Sequence, residues 1–186
     1  MGKADNTSYT AEEAHKYLVE HFSDFAPDLA EMVDTAFREK WIDFYPREGK
    51  VGGAFDCGVP SAGQSRVLTN FDGSFSDVIT LAHELGHSFH DRQVFKNSIL
   101  NQDYSMPVAE TASTFNEVLV VSTAIAESTD REEKLALIME ALGYDPRQHF
   151  ALHLNFALLE EPCCCAAFLR GAFLSGGSVT DPLKRY

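Results

Sequence analysis

Apolar side chains recur every three or four residues along most of the chain, the spacing that places them on one face of an α-helix. A first helix is predicted after Thr10, which stands three residues before Glu13 as in a capping box. Later helices are predicted from about Pro27 to Trp41, over 76–93 behind a cap at Ser74 or Ser76, over 107–127 behind Pro107, and from a capping box at Thr129 to a stop at Gly143. The pattern therefore predicts a mainly α-helical protein.

The segment over about 50–72 breaks this helical pattern. Six glycines fall between Gly49 and Gly73 inclusive, around two short apolar runs, Ala54 to Val59 and Arg66 to Phe71. We expect one small β-sheet or hairpin here, directly before the third helix. The chain has the length of one domain and shows no linker-like stretch, so residues 1–186 are predicted to form a single domain.

Charge and composition exclude several classes of protein. The 186 residues carry 15 Lys and Arg against 28 Asp and Glu, a formal net charge of −13. Nucleic-acid binding needs clustered positive charge, and a disordered acidic tail would lack the 45% hydrophobic residues and 14 Phe found here. The longest apolar run, from Val118 to Ala126, is shorter than the roughly 18 residues of a membrane helix. We therefore expect a folded cytoplasmic protein that binds neither nucleic acid nor membranes.

The third predicted helix contains the zinc motif His-Glu-x-x-His, formed by His83, Glu84 and His87. Residues four apart on a helix differ by about 40° in direction and about 6 Å in rise, so both imidazoles can reach one ion. Glu84 then flanks that ion. Apolar residues on the other side of the helix anchor it to the core, namely Leu81, Ala82, Leu85 and Phe89. The alternative is a pair of solvated or core histidines that bind no metal.

A catalytic zinc site needs a third protein ligand and an open position. Glu110 is the candidate, because it stands among small and apolar residues where an unpaired carboxylate is costly to bury. Glu117 lies seven residues later on the same face and can accept a hydrogen bond from a ligating imidazole, unless it is an ordinary solvated helix residue. His90 lies about 10 Å along the helix from His83, too far to share the ion. We expect His90 at the surface or toward the substrate.

Five ordered blocks of sequence lie between residues 41 and 117. They are Trp41-Ile42-Asp43, Gly52-Gly53-Ala54-Phe55, Val67-Leu68-Thr69-Asn70-Phe71, Thr80 to His90, and Val108 to Glu117. In this order the blocks resemble oligoendopeptidase F and its thimet-oligopeptidase-like relatives, a family of zinc metallopeptidases. The resemblance implies a zincin-like helical catalytic core in which His83, His87 and Glu110 bind one Zn²⁺ ion. Glu84 would then be the general base.

The function that this resemblance implies is zinc-dependent endopeptidase activity on short peptides. Glu84 would take a proton from a water molecule whose pKa the zinc ion lowers toward about 7, and would pass it to the leaving amine. An exposed strand edge within Ala54–Phe71 can pair with the backbone of an extended substrate. The alternative for these strands is a purely structural hairpin.

The C-terminal part of the chain departs from the family pattern. Family members are much longer and carry a His- and Tyr-rich stretch that stabilises the oxyanion, whereas the expected tyrosine positions here are occupied by Ala157, Leu159 and Glu161. His149 or His153 can replace such a donor, or both can be ordinary helix histidines. Because the loss of one donor typically lowers the rate by a factor of about 10²–10³, the alternative function is a catalytically weak or inactive zinc- or peptide-binding remnant.

The short length relative to that family also predicts uncovered apolar surface. Trp41, Phe44 and the Cys163–Cys165 segment are expected to be exposed. Large exposed apolar patches usually become interfaces, which predicts a homodimer. The negative net charge favours basic peptides as substrates. A purely structural helical protein would instead contain no zinc.

Overall fold

The computed structural model describes residues 8–141 of the chain. The regular elements in this part are α1 (Ala11–Phe25), α2 (Pro27–Arg38), β1 (Ile42–Asp43), β2 (Phe55–Val59), β3 (Gln64–Leu68), α3 (Phe75–Val94), α4 (Met106–Glu127) and α5 (Arg131–Ala141). The protein is mainly helical, with one small sheet before α3, as the hydrophobic pattern predicts. Elements up to Leu137 belong to one compact unit. The single domain over 1–186 extends beyond the described residues and stays a prediction.

Local hydrogen bonds determine where α1 and α3 begin. The Thr10 hydroxyl accepts the backbone N–H of Glu13, and the Glu13 carboxylate accepts the backbone N–H of Thr10, which confirms the predicted capping box. Ser74 and Asp77 form the same reciprocal pair at the start of α3. The cap of α3 is therefore Ser74 and not Ser76. Both helices that were expected to start at a proline have it in their first turn.

The second helix ends earlier than the sequence pattern suggests. It stops at Arg38, and Lys40 adopts a left-handed conformation with φ of 58°, so the chain turns before Trp41. Trp41 nevertheless points into the core and is only 7% exposed, and its indole N–H donates to Glu39. The prediction that α2 continues to Trp41 is wrong, because an apolar residue just beyond a helix can fill the same core from a turn.

The sheet has three strands in the order β1-β3-β2. The expected hairpin is β2 and β3, which pair antiparallel, with Cys57 opposite Arg66. β1 pairs parallel to β3, with Ile42 opposite Val67. The sequence pattern missed β1, because a two-residue strand is too short to show alternation. As a result β2 occupies one edge of the sheet.

The core lies between the sheet and the helices α1 to α4. On α3, the four residues expected to anchor the helix are fully buried or pack against the core, and Val78 joins them: Leu81, Ala82, Leu85 and Phe89. From α1 and α2 they meet Leu18, Phe22, Met32 and Val33, all with no exposed surface. Because this apolar face of α3 is held in the core, its opposite face is free to present polar side chains.

The cap of helix α5 lies one position later than predicted, at Asp130, and the helix begins at Arg131. The Asp130 carboxylate accepts the backbone N–H of Glu132, and the Asp130 carbonyl accepts the first helical bond from Lys134. Thr129 is therefore not the cap. The predicted stop at Gly143 lies outside the described residues.

The apolar side chains left exposed are not the ones that the sequence suggested. Trp41 is buried, and Phe44 is half-buried against the core. The Cys163–Cys165 segment lies outside the described residues. Large apolar side chains that are exposed within residues 8–141 include Ile99, Leu100, Met106 and Val118. The homodimer stays a prediction.

None of the helices between residues 8 and 141 combines the length and the apolar character needed to cross a membrane. The cytoplasmic location stays a prediction.

Candidate metal centre

Helices α3 and α4 approach each other closely at Gly86. A Cβ atom on Gly86 would lie 2.7 Å from Cα of Ser113 and 2.8 Å from the carbonyl oxygen of Ala112. One turn further along α4, the buried Asn116 side chain donates to the Ala82 carbonyl at 3.1 Å. The small residue inside the His-Glu-x-x-His motif thus determines how near the second helix comes to the motif histidines.

This approach brings the three predicted metal ligands together. Nε2 of His83 lies 3.2 Å from Nε2 of His87, and the Glu110 Oε2 atom lies 3.4 Å and 3.7 Å from these two nitrogens respectively. Within the described residues, these three side chains form a group whose donor atoms all lie within 4.8 Å of one another. Both histidines are half-buried. The sequence prediction therefore named the residues that the fold juxtaposes.

The separations fit a single tetrahedral ion. Zinc bonds to His nitrogen and carboxylate oxygen are about 2.0–2.2 Å, so neighbouring ligand atoms in a tetrahedron lie about 3.3 Å apart. The observed distances of 3.2, 3.4 and 3.7 Å bracket this value. Two imidazoles and one carboxylate also form the donor set of a catalytic zinc site with one open position. The side chains therefore fit a zinc ion in both chemistry and spacing.

Two further residues on α4 orient this group. Glu117 Oε1 is hydrogen-bonded to Nδ1 of His83. Because Nδ1 of His83 carries a proton and donates it to this carboxylate, Nε2 has no proton. The lone pair of Nε2 is therefore available on the side of the ring that faces Glu110. The Ser113 hydroxyl donates to Glu110 Oε2 at 2.9 Å and so restrains the third donor. The sequence pointed to Glu117, but a serine one turn after Glu110 gave no comparable signal.

Glu84 is almost fully buried, with 6% of its surface exposed. Burial raises the pKa of its carboxyl group, and the neighbouring charges of Glu110 and Glu117 add to the rise, while the His83 charge opposes it. A carboxyl group whose pKa is moved toward neutrality is better suited to accept and return a proton. Burial, together with the charge of His83, lowers the pKa of His87 and keeps this imidazole neutral, as metal binding requires.

His90 lies apart from the candidate ligands. Its ring packs on Tyr104 with centroids 4.5 Å apart, and it lines an apolar cavity of about 420 Å³ with Phe25, Leu29 and Phe115. Nδ1 of His90 is buried and has no hydrogen-bond partner among residues 8–141. His90 is therefore half-buried rather than a surface residue. The predicted oxyanion candidates His149 and His153 lie outside the described residues.

A polar network that sequence reasoning missed lies between α3 and the sheet. The Ser88 hydroxyl donates to Asp56 Oδ1 at 2.5 Å, and Asp91 accepts from Ser65 at 3.1 Å and from Tyr104 at 2.9 Å. No local pattern pairs these residues, since they come from two strands, a helix and a loop. The sequence indicates this network at one position, Asp56, which is a single carboxylate within the apolar run Ala54 to Val59.

Comparison with known proteins agrees with this architecture. The model of peptidase family M3 matches residues 11–148. The chain is 36% identical over 115 residues to the chromosomal oligoendopeptidase F of Lactococcus lactis subsp. cremoris, which covers 61% of this chain and 19% of the relative. It is 32% identical over 139 residues to an oligoendopeptidase F homolog of Mycoplasma pneumoniae, which covers 73% of this chain and 23% of the relative.

A solved structure described as a peptidase from Chlamydophila abortus has the same fold. It superposes with a TM-score of 0.68 at 30% sequence identity, over 73% of this chain and 23% of the other. The chain thus spans 19% and 23% of the length of the two curated relatives above. The family match covers most of the chain, including both helices of the candidate metal centre. The chain belongs to peptidase family M3.

Proposed function

We propose that the protein is a zinc-dependent endopeptidase that hydrolyses short peptides. The observation that carries the proposal is the group formed by His83, His87 and Glu110, whose donor atoms lie 3.2 to 3.7 Å apart beside the buried Glu84. Membership in a peptidase family supports the reaction class. The names of the oligoendopeptidase F relatives support peptides as substrates.

His83, His87 and Glu110 would hold the ion, and their roles rest on donor type and spacing. A bound zinc ion supplies a Lewis acid that polarises a carbonyl group and lowers the pKa of a water molecule toward about 7. The carboxylate of Glu117 keeps the His83 ring in the tautomer that offers Nε2. Ser113 restrains Glu110 through its hydroxyl hydrogen bond.

Glu84 would carry the proton during the reaction. As a carboxylate it accepts a proton from the attacking water molecule, and as a carboxylic acid it then donates that proton to the leaving amine. The pKa rise caused by burial supports this double role, because it brings the two protonation states closer in free energy near neutral pH.

Strand β2 would hold the substrate backbone. It lies at the edge of the sheet, and the side chains of Phe55 and Cys57 on it are exposed. An edge strand offers backbone N–H and C=O groups to an extended peptide, which gives binding with loose side-chain preference.

The test is metal content together with peptidase activity of purified protein. Wild type is expected to contain one zinc per chain and to cleave internally quenched peptides. Glu84→Gln should keep the zinc and lower kcat by a factor of about 10² or more, because a general base is worth about 10²–10⁴ in rate.

Glu20→Gln is the matched control, since Glu20 is exposed on α1, and it should behave as wild type. Turnover that survives Glu84→Gln would contradict the mechanism. Stoichiometric zinc and peptide binding without turnover in wild type would instead identify an inactive family remnant.

A further inference from the structure

Two carboxyl groups outside the candidate metal centre lie together between β2 and α3, one of them buried and the other half-buried. Asp56 projects from β2, and Asp91 lies one turn after His87 on α3 and is 6% exposed. The two side chains are neighbours, because Asp56 Oδ1 accepts from Ser88, one turn before Asp91 on α3, and Gly58, two residues after Asp56 on β2, lies against Asp91 Oδ2. Two adjacent and largely buried carboxyl groups cannot both be charged without a large cost in free energy, so one of them holds a proton.

The hydrogen-bond donors around the pair identify which group holds the proton. Both oxygens of Asp91 already accept hydroxyl protons, Oδ2 from Ser65 and Oδ1 from Tyr104. Within residues 8–141, Asp56 accepts one side-chain hydrogen bond, from Ser88. Asp91, whose charge is stabilised by more hydrogen-bond donors, is therefore the anion, and Asp56 is the neutral acid that donates to it. In agreement, burial raises the pKa of Asp56 to about 7, and the charge of Asp91 adds to this rise.

The same pair determines how closely the edge strand approaches the zinc-motif helix. A Cβ atom on Gly58 would lie 2.3 Å from Asp91 Oδ2, so β2 passes directly over the Asp91 carboxylate. The backbone of Asp56 also interacts with the Glu84 carboxyl group and lowers its pKa, against the larger rise caused by burial. Any shift of β2 away from α3 would therefore change the surroundings of Glu84.

We propose that Asp56 is a positioning residue: as a neutral acid it donates to Asp91 and accepts from Ser88, and it thereby holds edge strand β2 against α3 beside Glu84. The importance of this contact for catalysis rests on the proposed role of Glu84 as general base. The existence of the protonated pair does not depend on that role, so the two can be tested separately.

Three variants distinguish this role from general packing. In Asp56→Asn the amide can still donate to Asp91 and its oxygen can still accept from Ser88, so the network survives without a titrating proton. In Asp56→Ala both bonds are lost. Asp24→Asn is the matched control, because Asp24 is exposed on α1.

The first readout is the infrared carbonyl band of a protonated carboxyl group. At about pH 6 wild type should show one such band that Asp56→Asn lacks and Asp24→Asn retains. A wild-type spectrum that Asp56→Asn leaves unchanged would overturn the assignment of the proton. This measurement needs no peptidase activity.

The second readout is the pH dependence of unfolding by urea. The pKa of Asp56 is raised from 3.8 to about 7, so its contribution to stability is full below the unfolded value and is lost as pH rises through the folded value. The stability of wild type relative to Asp56→Asn should therefore fall progressively between about pH 4 and about pH 7. The titratable groups that act on Asp56 and Asp91 are Glu84 on α3 and Tyr104 in the loop before α4. Strand β3 contributes Ser65, which carries no charge. The guanidinium of Arg66, also on β3, lies over the Trp41 ring.

The third readout is peptide turnover. Asp56→Asn should keep kcat within about twofold of wild type, whereas Asp56→Ala should lower kcat by about 10-fold or more with a smaller change in KM, because a displaced base costs rate more than binding. Equal kcat in wild type and Asp56→Ala would overturn the positioning role. If wild type has no turnover, the proposed function fails, and the infrared and unfolding measurements still decide whether the carboxyl pair exists.

Discussion

Replacing Gly86 by alanine tests whether the distance between α3 and α4 determines metal binding. The added Cβ would lie 2.7 Å from Cα of Ser113, and ordinary contact begins at 3.4 Å, so the helices must separate locally by the difference, about 0.7 Å. The atoms it meets belong to the backbone of α4 and cannot rotate away. Glu110, three residues from Ser113 on α4, must move with that backbone.

The expected change in stability is small, because two effects oppose each other. Overpacking typically costs about 1–3 kcal/mol, while alanine is better than glycine in a helix by about 1 kcal/mol. The free energy of unfolding of the metal-free protein should therefore fall by about 0–2 kcal/mol.

The expected change in zinc binding is larger. Metal sites tolerate ligand displacements of only about 0.2 Å, and a shift of about 0.7 Å at Glu110 exceeds this limit. We expect the zinc affinity of Gly86→Ala to fall by about 10- to 100-fold, the range seen when groups that orient ligands are changed.

Competition titration against a chelator measures this affinity, and urea unfolding of the metal-free protein measures the stability. Gly52→Ala is the matched control, because a Cβ there meets nothing within 4 Å and the backbone is not left-handed. A Gly86→Ala variant that binds zinc as tightly as wild type and is more stable would refute the reasoning.

The remaining predictions concern the orientation of His83 and the start of α3. Glu117→Ala should weaken zinc binding by about 10- to 100-fold, with Glu117→Gln in between because its amide oxygen still accepts from His83; unchanged affinity of both variants in the chelator titration would contradict this role. Ser74→Ala should lower the free energy of unfolding by about 1 kcal/mol through loss of the cap on Asp77. In the same urea measurement the exposed neighbour Ser76→Ala should have little effect, and equal losses in both variants would count against the cap.

The helices of the candidate metal centre were predictable from local sequence alone. Their apolar positions recur at helical spacing over many turns, and prolines or capping residues mark where they begin. The expected ranges 76–93 and 107–127 agree with the observed Phe75–Val94 and Met106–Glu127 at one end and differ by one residue at the other three. β1 and the true end of α2 were not predictable, since neither is long enough to show a period.

Some residues of the candidate metal centre were likewise predictable from local sequence, and others were not. His83 and His87 lie on one helix, so the fixed geometry of that helix already places them together. Glu110 stood out because a carboxylate in a small, apolar segment needs a partner. The roles of Ser113 and Gly86 depend on how two helices pack, and neither residue is unusual in its own segment.

The sequence by itself determined the mainly helical fold, the His-Glu-x-x-His motif, the candidate third ligand and the family resemblance, because each depends on residue type and spacing along one element. Only the tertiary structure decided that Glu110 Oε2 lies 3.4 Å from Nε2 of His83 and that Ser88 donates to Asp56. These contacts join residues that are 27 and 32 positions apart, on different elements. Their distances are set by close packing of helix on helix and strand on helix, which depends on the joint shape of many side chains rather than on any local pattern.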